Sequence, residues 1–202
     1  MPGLSDYAEN KLLDAILGVA SLSAQTAPWV KLHTGDPGEN GTTNAATETT
    51  RKQVTFGAAS AGVSANSGLL RWDNVAATET VRAFSLWDAA TAGNCIGTGW
   101  LGASVRVMAT FDTTGNLWTA VAHGLAASDI VTILALDGST VPTSLAAGTI
   151  YSVSASPGAD TFGLSVNGTT KGRAMVYKLS PVGLTAGDSA EFAIGALTAS
   201  LD

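Results

Sequence analysis

The feature that most constrains the fold is a change in hydrophobic period near Trp29. From there onward, short segments rich in Val, Thr, Phe and Trp alternate with clusters of Gly, Asn, Asp and Pro. Alternation with period 2 is typical of half-buried β-strands, and the intervening residues are those that turns require. Strands that recur about every 10 residues predict a mainly β fold whose main body is a β-sandwich.

One segment before that point has the period of a helix. Ser5 is a favourable N-cap, Asp6 and Glu9 bring negative charge into the first turn, and Gly18 suits the position that follows a helix. The sequence therefore predicts an N-terminal amphipathic helix, Asp6–Leu17. Its apolar stripe consists of Leu12, Leu13, Ile16 and Leu17. Such a stripe must be covered by the protein's own sheet or by a neighbouring subunit.

The predicted strands fall into two groups. Those of the main body are Trp29–His33, Arg51–Phe56, Leu69–Trp72, Thr80–Asp88, Cys95–Leu101 and Glu191–Leu201. Those of the second group are Val107–Phe111, Leu117–Thr119, Asp129–Leu136, Thr149–Val153 and Thr161–Ser165. Five short strands can close a small barrel around its own core. We therefore predict a discontinuous β-sandwich domain of residues 1–104 and 175–202, interrupted by an inserted small β-barrel domain of residues 105–174.

Composition argues against several classes of partner. Only 13% of the 202 residues are charged while 46% are apolar, the reverse of a disordered chain. The ten basic residues are scattered, and the longest run is Arg51-Lys52, so no nucleic-acid partner is expected. No apolar stretch approaches the length of a membrane span and no signal peptide precedes the helix, so we expect synthesis in a cytoplasm and no membrane partner.

The sequence contains no pattern that predicts catalysis, a cofactor or a metal. The nearest approach to a serine-hydrolase elbow, Gly163–Asn167, lacks its last glycine, and His33 and His123 are the only candidate general bases. A loop that begins at Asp36 lacks two ligands of a calcium site, and Cys95 with two distant histidines does not form a zinc site. We therefore predict no catalytic, cofactor-binding or metal-binding residues, and expect that the protein is not an enzyme.

The tryptophans leave one binding function open. They are Trp29, Trp72, Trp87, Trp100 and Trp118. Each falls on a predicted strand with the spacing of a core or cross-strand residue, so burial is the favoured interpretation. A tryptophan platform that binds a glycan is the alternative.

Six segments of the chain occur in the same order as in a known protein family: Leu4–Asp14, Leu32–Gly38, Val54–Ser60, Leu86–Ala90, Leu184–Asp188 and Gly195–Thr198. Together they resemble a family of small structural proteins encoded by tailed bacteriophages, whose members are commonly labelled tail-fibre or minor virion proteins. Four other strings lie in the predicted insert: Thr119–Leu125, Asp129–Val131, Leu145–Val153 and Thr161–Ser165. These are similar to a small β-barrel inserted into many phage structural proteins, like the FCCH barrel of ubiquitin-activating enzymes. That second resemblance implies a fold and no ubiquitin chemistry.

The resemblance implies a non-enzymatic virion protein, made in the cytoplasm of a host bacterium. Because the long repeats and heptads of many fibres are absent, we expect a capsid decoration protein on the particle surface. The alternative is a tail-fibre or tail-associated protein that binds a host surface glycan. A hydrolase acting on the host envelope is a third hypothesis, and it would need His33 or His123 as its base.

The partners that the resemblance implies are other virion proteins, either the major capsid protein or tail proteins, and further copies of the chain itself. The predicted particle-docking residues are those of the helix stripe: Leu12, Leu13, Ile16 and Leu17.

Overall fold

The computed structural model describes residues 3–22, 27–102, 105–136, 139–154 and 158–200. These residues form one α-helix and 17 β-strands, so the predicted mainly β class with an N-terminal helix is confirmed. The chain divides into two compact units. We call residues 100–181 the middle unit, and the residues up to 99 together with those from 182 onward the terminal unit.

The bounds of the elements follow in chain order. They are β1 (Gly3–Leu4), α1 (Asp6–Ile16), β2 (Trp29–His33), β3 (Lys52–Gln53), β4 (Val63–Ala65), β5 (Leu70–Trp72), β6 (Glu79–Val81), β7 (Ala83–Trp87), β8 (Cys95–Trp100), β9 (Val105–Asp112), β10 (Leu117–Thr119), β11 (Ile130–Ala135), β12 (Ile150–Ser152), β13 (Thr161–Phe162), β14 (Gly172–Leu179), β15 (Val182–Leu184), β16 (Ala190–Phe192) and β17 (Thr198–Ser200).

The terminal unit contains a five-stranded antiparallel sheet and three two-stranded ladders. The order in the large sheet is β1-β8-β7-β2-β3, and the ladders are β15-β6, β16-β5 and β17-β4. The ring of Phe192 contacts Trp72 edge-on at 6.2 Å and Phe84 at 5.9 Å, measured between centroids. Because Phe84 belongs to β7 of the large sheet, these aromatic contacts pack the β16-β5 ladder against that sheet.

The middle unit is a single sheet that closes on itself. Its six strands have the order β12-β11-β14-β9-β10-β13. The two end strands are joined by a bridge between Val153 and Leu164 and by a 2.9 Å hydrogen bond from the Ser154 N–H to the Gly163 carbonyl. Closure places the inward-facing side chains in one core, where Trp118 and its aromatic neighbours are fully buried.

The strands differ from the sequence-based prediction in several places. β4 and β15 are not predicted, the predicted strand Thr80–Asp88 is divided into β6 and β7, and only Lys52–Gln53 of the predicted strand Arg51–Phe56 forms a strand. No strand is predicted at β14, yet this eight-residue strand is central in the middle unit and pairs with both β9 and β11. The predicted boundary of the inserted domain, residue 174, lies within it. The predicted strand Glu191–Leu201 is divided into β16 and β17 by a turn, because the two halves pair with different strands.

Candidate functional site

The N-terminal end of α1 is fixed to the edge of the large sheet by Ser5. This residue is 4% exposed, and its hydroxyl accepts a hydrogen bond from the Ala8 N–H at 3.3 Å and donates one to the Cys95 carbonyl. The Ser5 N–H donates to the Ile96 carbonyl at 3.0 Å, which continues the β1-β8 ladder. Ser5 therefore caps the helix and anchors it to β8 at the same time.

The other end of α1 is closed by a turn at Gly18. The Val19 N–H donates to the Asp14 carbonyl at 2.8 Å, and Gly18 has a φ of +73°. This is the Schellman arrangement, in which a glycine adopts the left-handed conformation just after the helix. The helix ends at Ile16 with Leu17 as its C-cap, one residue earlier than predicted.

The apolar stripe of α1 is only partly covered. Leu13, Ile16 and Leu17 are 54%, 71% and 66% exposed, whereas Leu12 is half-buried. The four predicted docking residues therefore divide between a covered side and an open side of the helix. Their role in docking stays a prediction. Within the described residues, no helix is both long and apolar enough to cross a membrane.

His33 is fully buried, and both ring nitrogens are held. Nδ1 lies 2.8 Å from the Thr43 carbonyl and Nε2 lies 2.7 Å from the Ser85 hydroxyl. Since a carbonyl only accepts, Nδ1 carries the proton and Nε2 accepts from Ser85. The Ser85 oxygen in turn accepts the Trp87 indole N–H at 2.7 Å. Burial lowers the pKa of His33 to about 4, so the ring is neutral at physiological pH.

Ser85 and His33 have the contact of a nucleophile with its base, but both side chains are completely buried. The loop after β2 lies directly on them. A Cβ at Gly41 in this loop would lie 3.1 Å from the Cβ of Ser85 and 2.9 Å from both Cys95 Sγ and Trp87 Cζ2. A catalytic nucleophile must reach a substrate atom, which this pair cannot do in the folded chain. The hydrogen bonds of the pair instead join β2, β7 and the loop.

Asp36 is a turn residue of the same loop. Its carboxylate accepts a hydrogen bond from the Gly38 N–H at 2.9 Å, and its carbonyl accepts from the Thr43 hydroxyl at 2.7 Å and the Asn44 amide at 2.8 Å. These bonds are those of a side-chain-stabilised turn. Within the described part of the chain, no three His, Cys, Asp or Glu side chains are grouped in a way that could hold a metal ion.

His123 has a structural position in the middle unit. Its Nδ1 accepts the Leu125 N–H at 2.9 Å, so Nε2 carries the proton and donates to the Thr161 carbonyl at 3.3 Å. The ring is 2% exposed and contacts Phe162 edge-on at 5.0 Å. Both nitrogens of His123 are therefore occupied by backbone groups, one in its own loop and the other in β13.

Burial is the correct interpretation for most of the tryptophans. Those with 6% exposure or less are Trp72, Trp87, Trp100 and Trp118. Trp29 is half-buried and lies directly opposite Trp87 on the paired strand. The guanidinium of Arg51 covers the Trp87 ring at 3.5 Å and donates to the carbonyls of Ala89 and Ala92. The described residues include all five tryptophans, and these do not form a stacking platform of several accessible rings.

A second open surface, which is not predicted from the sequence, lies on β9 and β14. The β9–β14 face, as we call it, consists of the outward residues at the centre of these strands: Arg106, Met108 and Thr110 on β9, and Arg173, Met175 and Tyr177 on β14. The intervening residues point into the core. The signal that could have identified this surface is the alternation Arg-x-Met in β9 and Arg-x-Met-x-Tyr in β14.

Charge is divided unequally between the units. Residues 100–181 contain four of the ten basic and four of the 16 acidic residues, which leaves that segment neutral. The remaining six basic and 12 acidic residues belong to the terminal unit, so the terminal unit carries the whole formal net charge of −6.

Comparison with known protein families identifies a match over the N-terminal half of the chain. A family model described as podophage GP4 fiber I protein gp80 matches residues 3–114, which is 112 of the 202 residues. The matched segment contains α1 and the strands from β1 to β9. Among curated proteins, none matches the chain.

Proposed function

Because the chain belongs to the family of podophage GP4 fiber I proteins gp80, we propose that it is a non-enzymatic component of the tail fibres of a tailed-bacteriophage virion. The observation that carries the proposal is the family match, which covers more than half of the chain. This family match shows that the protein is a structural protein of a tailed phage. The family's description as a fibre protein favours the tail-fibre alternative over the capsid decoration function expected from the sequence.

The role requires surfaces that bind other virion proteins, and α1 supplies one. Ser5 fixes one end of the helix to β8, while Leu13, Ile16 and Leu17 stay open. A helix that is anchored at one end and apolar along an open side is suited to dock on a neighbouring chain. The proposed partners are other tail proteins and further copies of this chain.

We also propose that the middle unit is an inserted domain. The chain enters it through β9 and leaves through β14, and these two strands pair antiparallel over seven residues, from Gly172 to Lys178 on β14. Next to them, the Ser180 N–H donates to the Leu101 carbonyl at 2.9 Å. Adjacent entry and exit points are the condition under which a domain can be inserted with little disturbance. Its similarity to the FCCH barrel stays a prediction.

Immunogold labelling of purified phage particles tests the proposed function. An antibody against the recombinant chain is expected to label the tail fibres, and preincubation with the same recombinant chain should abolish the label. Label spread over the head would instead support capsid decoration and overturn the tail-fibre proposal. Absence of the chain from purified particles, checked by mass spectrometry, would contradict a virion role altogether.

A further inference from the structure

We propose that the open side of α1 in one copy of this chain binds the β9–β14 face of a second copy. The inference rests on the proposed self-association and identifies the two surfaces that would make the contact. Each surface is open in the single chain, and the two differ from each other in both charge and shape.

The open side of α1 has an acidic half and an apolar half. Asp6, Glu9, Leu13 and Ile16 follow one another at spacings of three and four residues, so they lie along one face of the helix. All four are exposed, and Leu17 lies beside Ile16 on the same side. The two carboxylates occupy the N-terminal turns, and the apolar side chains occupy the C-terminal turns.

The β9–β14 face has the complementary arrangement. Met108 and Met175 are directly opposite each other at its centre. Arg106 lies at one end, with its guanidinium 5.9 Å from the Tyr177 ring, and Arg173 lies toward the other end, with Nη2 3.6 Å from Met108 Sδ. Among the described residues, neither arginine is in a salt bridge. The face therefore offers two cations without a carboxylate partner on either side of a flexible apolar centre.

The dimensions of the two surfaces agree. From Arg106 to Thr110 the β9–β14 face spans about 13 Å along β9, at 3.3 Å per residue. From Glu9 to Leu17 the helix spans about 12 Å, at 1.5 Å per residue. One arginine can thus pair with the carboxylates of Asp6 and Glu9, while the two methionines of the face cover the apolar side chains in the C-terminal turns of α1. The second arginine then lies near the C-terminal end of α1, where the helix dipole is negative and the last turn has no basic residue.

Charge favours this unlike contact over contacts between like surfaces. The terminal unit, which presents α1, carries the net charge of −6, whereas the middle unit is neutral. Two terminal units repel each other, but an acidic helix is attracted to arginines that have no carboxylate partner among the described residues. Arg, Met and Tyr are also the residues enriched at protein interfaces. A contact between two different surfaces can close as a reciprocal dimer or a ring, or continue as a filament.

Sedimentation velocity of the full chain over a range of concentrations tests the contact. The wild type is expected to self-associate, and the single variant Ile16→Asp and the double variant Arg106→Glu with Arg173→Glu are expected to associate at least tenfold more weakly. Lys11→Glu, on α1 away from the open side, is the matched control for the helix. Val121→Glu, at a position that is 81% exposed and lies outside β9 and β14, is the control for the middle unit. Both controls should associate like the wild type, and circular dichroism should find every variant folded.

Mixing the two weakened variants distinguishes this contact from helix-helix packing. The Ile16→Asp copy keeps its β9–β14 face, and the double arginine variant keeps its helix, so the mixture is expected to form a one-to-one complex that neither variant forms alone. If the wild type stays monomeric, or if the mixture does not associate, the inference is overturned. Gold label on the tail fibres in that case would leave the proposed function standing without this contact.

Discussion

The two units of the chain are stabilised in different ways. The middle unit closes one sheet around a contiguous apolar core, so its strands satisfy one another's backbone groups. Beside its five-stranded sheet, the terminal unit has three short ladders of three residue pairs each, and four buried polar side chains among its described residues join its segments. These are Ser5, His33, Asn66 and Ser85. In the closed sheet the core packing joins the strands, whereas the short ladders of the terminal unit depend in addition on specific hydrogen bonds between distant segments.

Asn66 illustrates the second case. Its side-chain amide donates to the Ala193 carbonyl at 2.9 Å and the Gly68 carbonyl at 2.8 Å, and its side-chain oxygen accepts the Leu197 N–H at 2.8 Å. One buried side chain thereby fixes the turn between β16 and β17 to the segment between β4 and β5. No apolar residue could make these three bonds.

The largest effect is expected from Trp118→Ala in the middle unit. The ring is fully buried and lies between Phe111 and Phe162 with centroid distances of 5.3 and 6.3 Å, so truncation removes the centre of the core. The free energy of unfolding of the middle unit should fall by about 3–5 kcal/mol. Two-transition analysis of calorimetric unfolding is the measurement, and the transition of the terminal unit should not move.

Trp118→Phe is the matched control for this prediction. The indole Nε1 is buried without a hydrogen-bond partner, so replacing it removes an unsatisfied donor as well as some volume. The loss should be about 1 kcal/mol or less. A loss as large as that of Trp118→Ala would contradict the description of this core as dependent on packing.

Acidification should affect the terminal unit through His33. Its pKa is about 4 in the folded chain against about 6.5 unfolded, because burial disfavours the charged ring. At pH values well above about 6.5 the His33 ring is neutral in both the folded and the unfolded chain, so its protonation does not reduce the free energy of unfolding. As the pH falls, the unfolded chain binds the proton first, so stability decreases by about 2 kcal/mol at about pH 5 and by about 3 kcal/mol at about pH 4. Urea unfolding at several values between about pH 7.5 and about pH 5 measures the slope.

His33→Gln is the control for this pH dependence. The variant is less stable at neutral pH, but its stability should be nearly independent of pH over the same interval since it has no ring to protonate. If the wild type and the variant have the same slope, His33 is not the group responsible.

Asn66→Ala should release the C-terminal strands. Three hydrogen bonds are lost and the N–H of the buried Leu197 is left without its acceptor, so we expect the free energy of unfolding of the terminal unit to fall by about 2–3 kcal/mol. Amide hydrogen exchange should become faster in β16 and β17 and stay unchanged in β9 and β14. Ser67→Ala at the neighbouring position is the control, because it removes only one exposed hydrogen bond to the Thr55 carbonyl and should be nearly neutral.

The smallest effect is expected from Ser5→Ala. The substitution removes the helix cap and the bond to β8, which should cost about 1–2 kcal/mol and increase fraying of α1. Helicity by circular dichroism and exchange of the first helical amides measure it. Ser21→Ala, at an exposed position after the helix, should have no effect. If Ser5→Ala and Ser21→Ala reduced the free energy of unfolding equally, Ser5 would not be the residue that anchors α1.

Local pattern predicts those parts of the fold that depend on local residues. β2 and β10 begin and end at the predicted residues, and α1 differs by one residue, because alternation, capping and turn residues act over short distances. β14 has equally clear alternation from Arg173 onward. Its partner β9 lies about 65 residues earlier in the chain, and no local signal assigns a strand to a sheet at that distance.

The candidate surfaces could be predicted only in part. The helical period alone identifies Leu13, Ile16 and Leu17. Their exposure cannot be predicted from it, because the hydrogen bonds of Ser5 determine which side of α1 faces the sheet. The Arg106 and Arg173 pair requires knowledge that β9 and β14 are neighbours. The bonds of His33 come from a loop and a distant strand, so the sequence identifies the residue but not its environment.

A cryo-electron microscopy reconstruction of the whole phage particle tests the central claim most directly. We expect density for the terminal and middle units on the tail fibres, in a number of copies set by the symmetry of the tail. Density for the chain on the head, repeated with the icosahedral symmetry of the capsid, would contradict it.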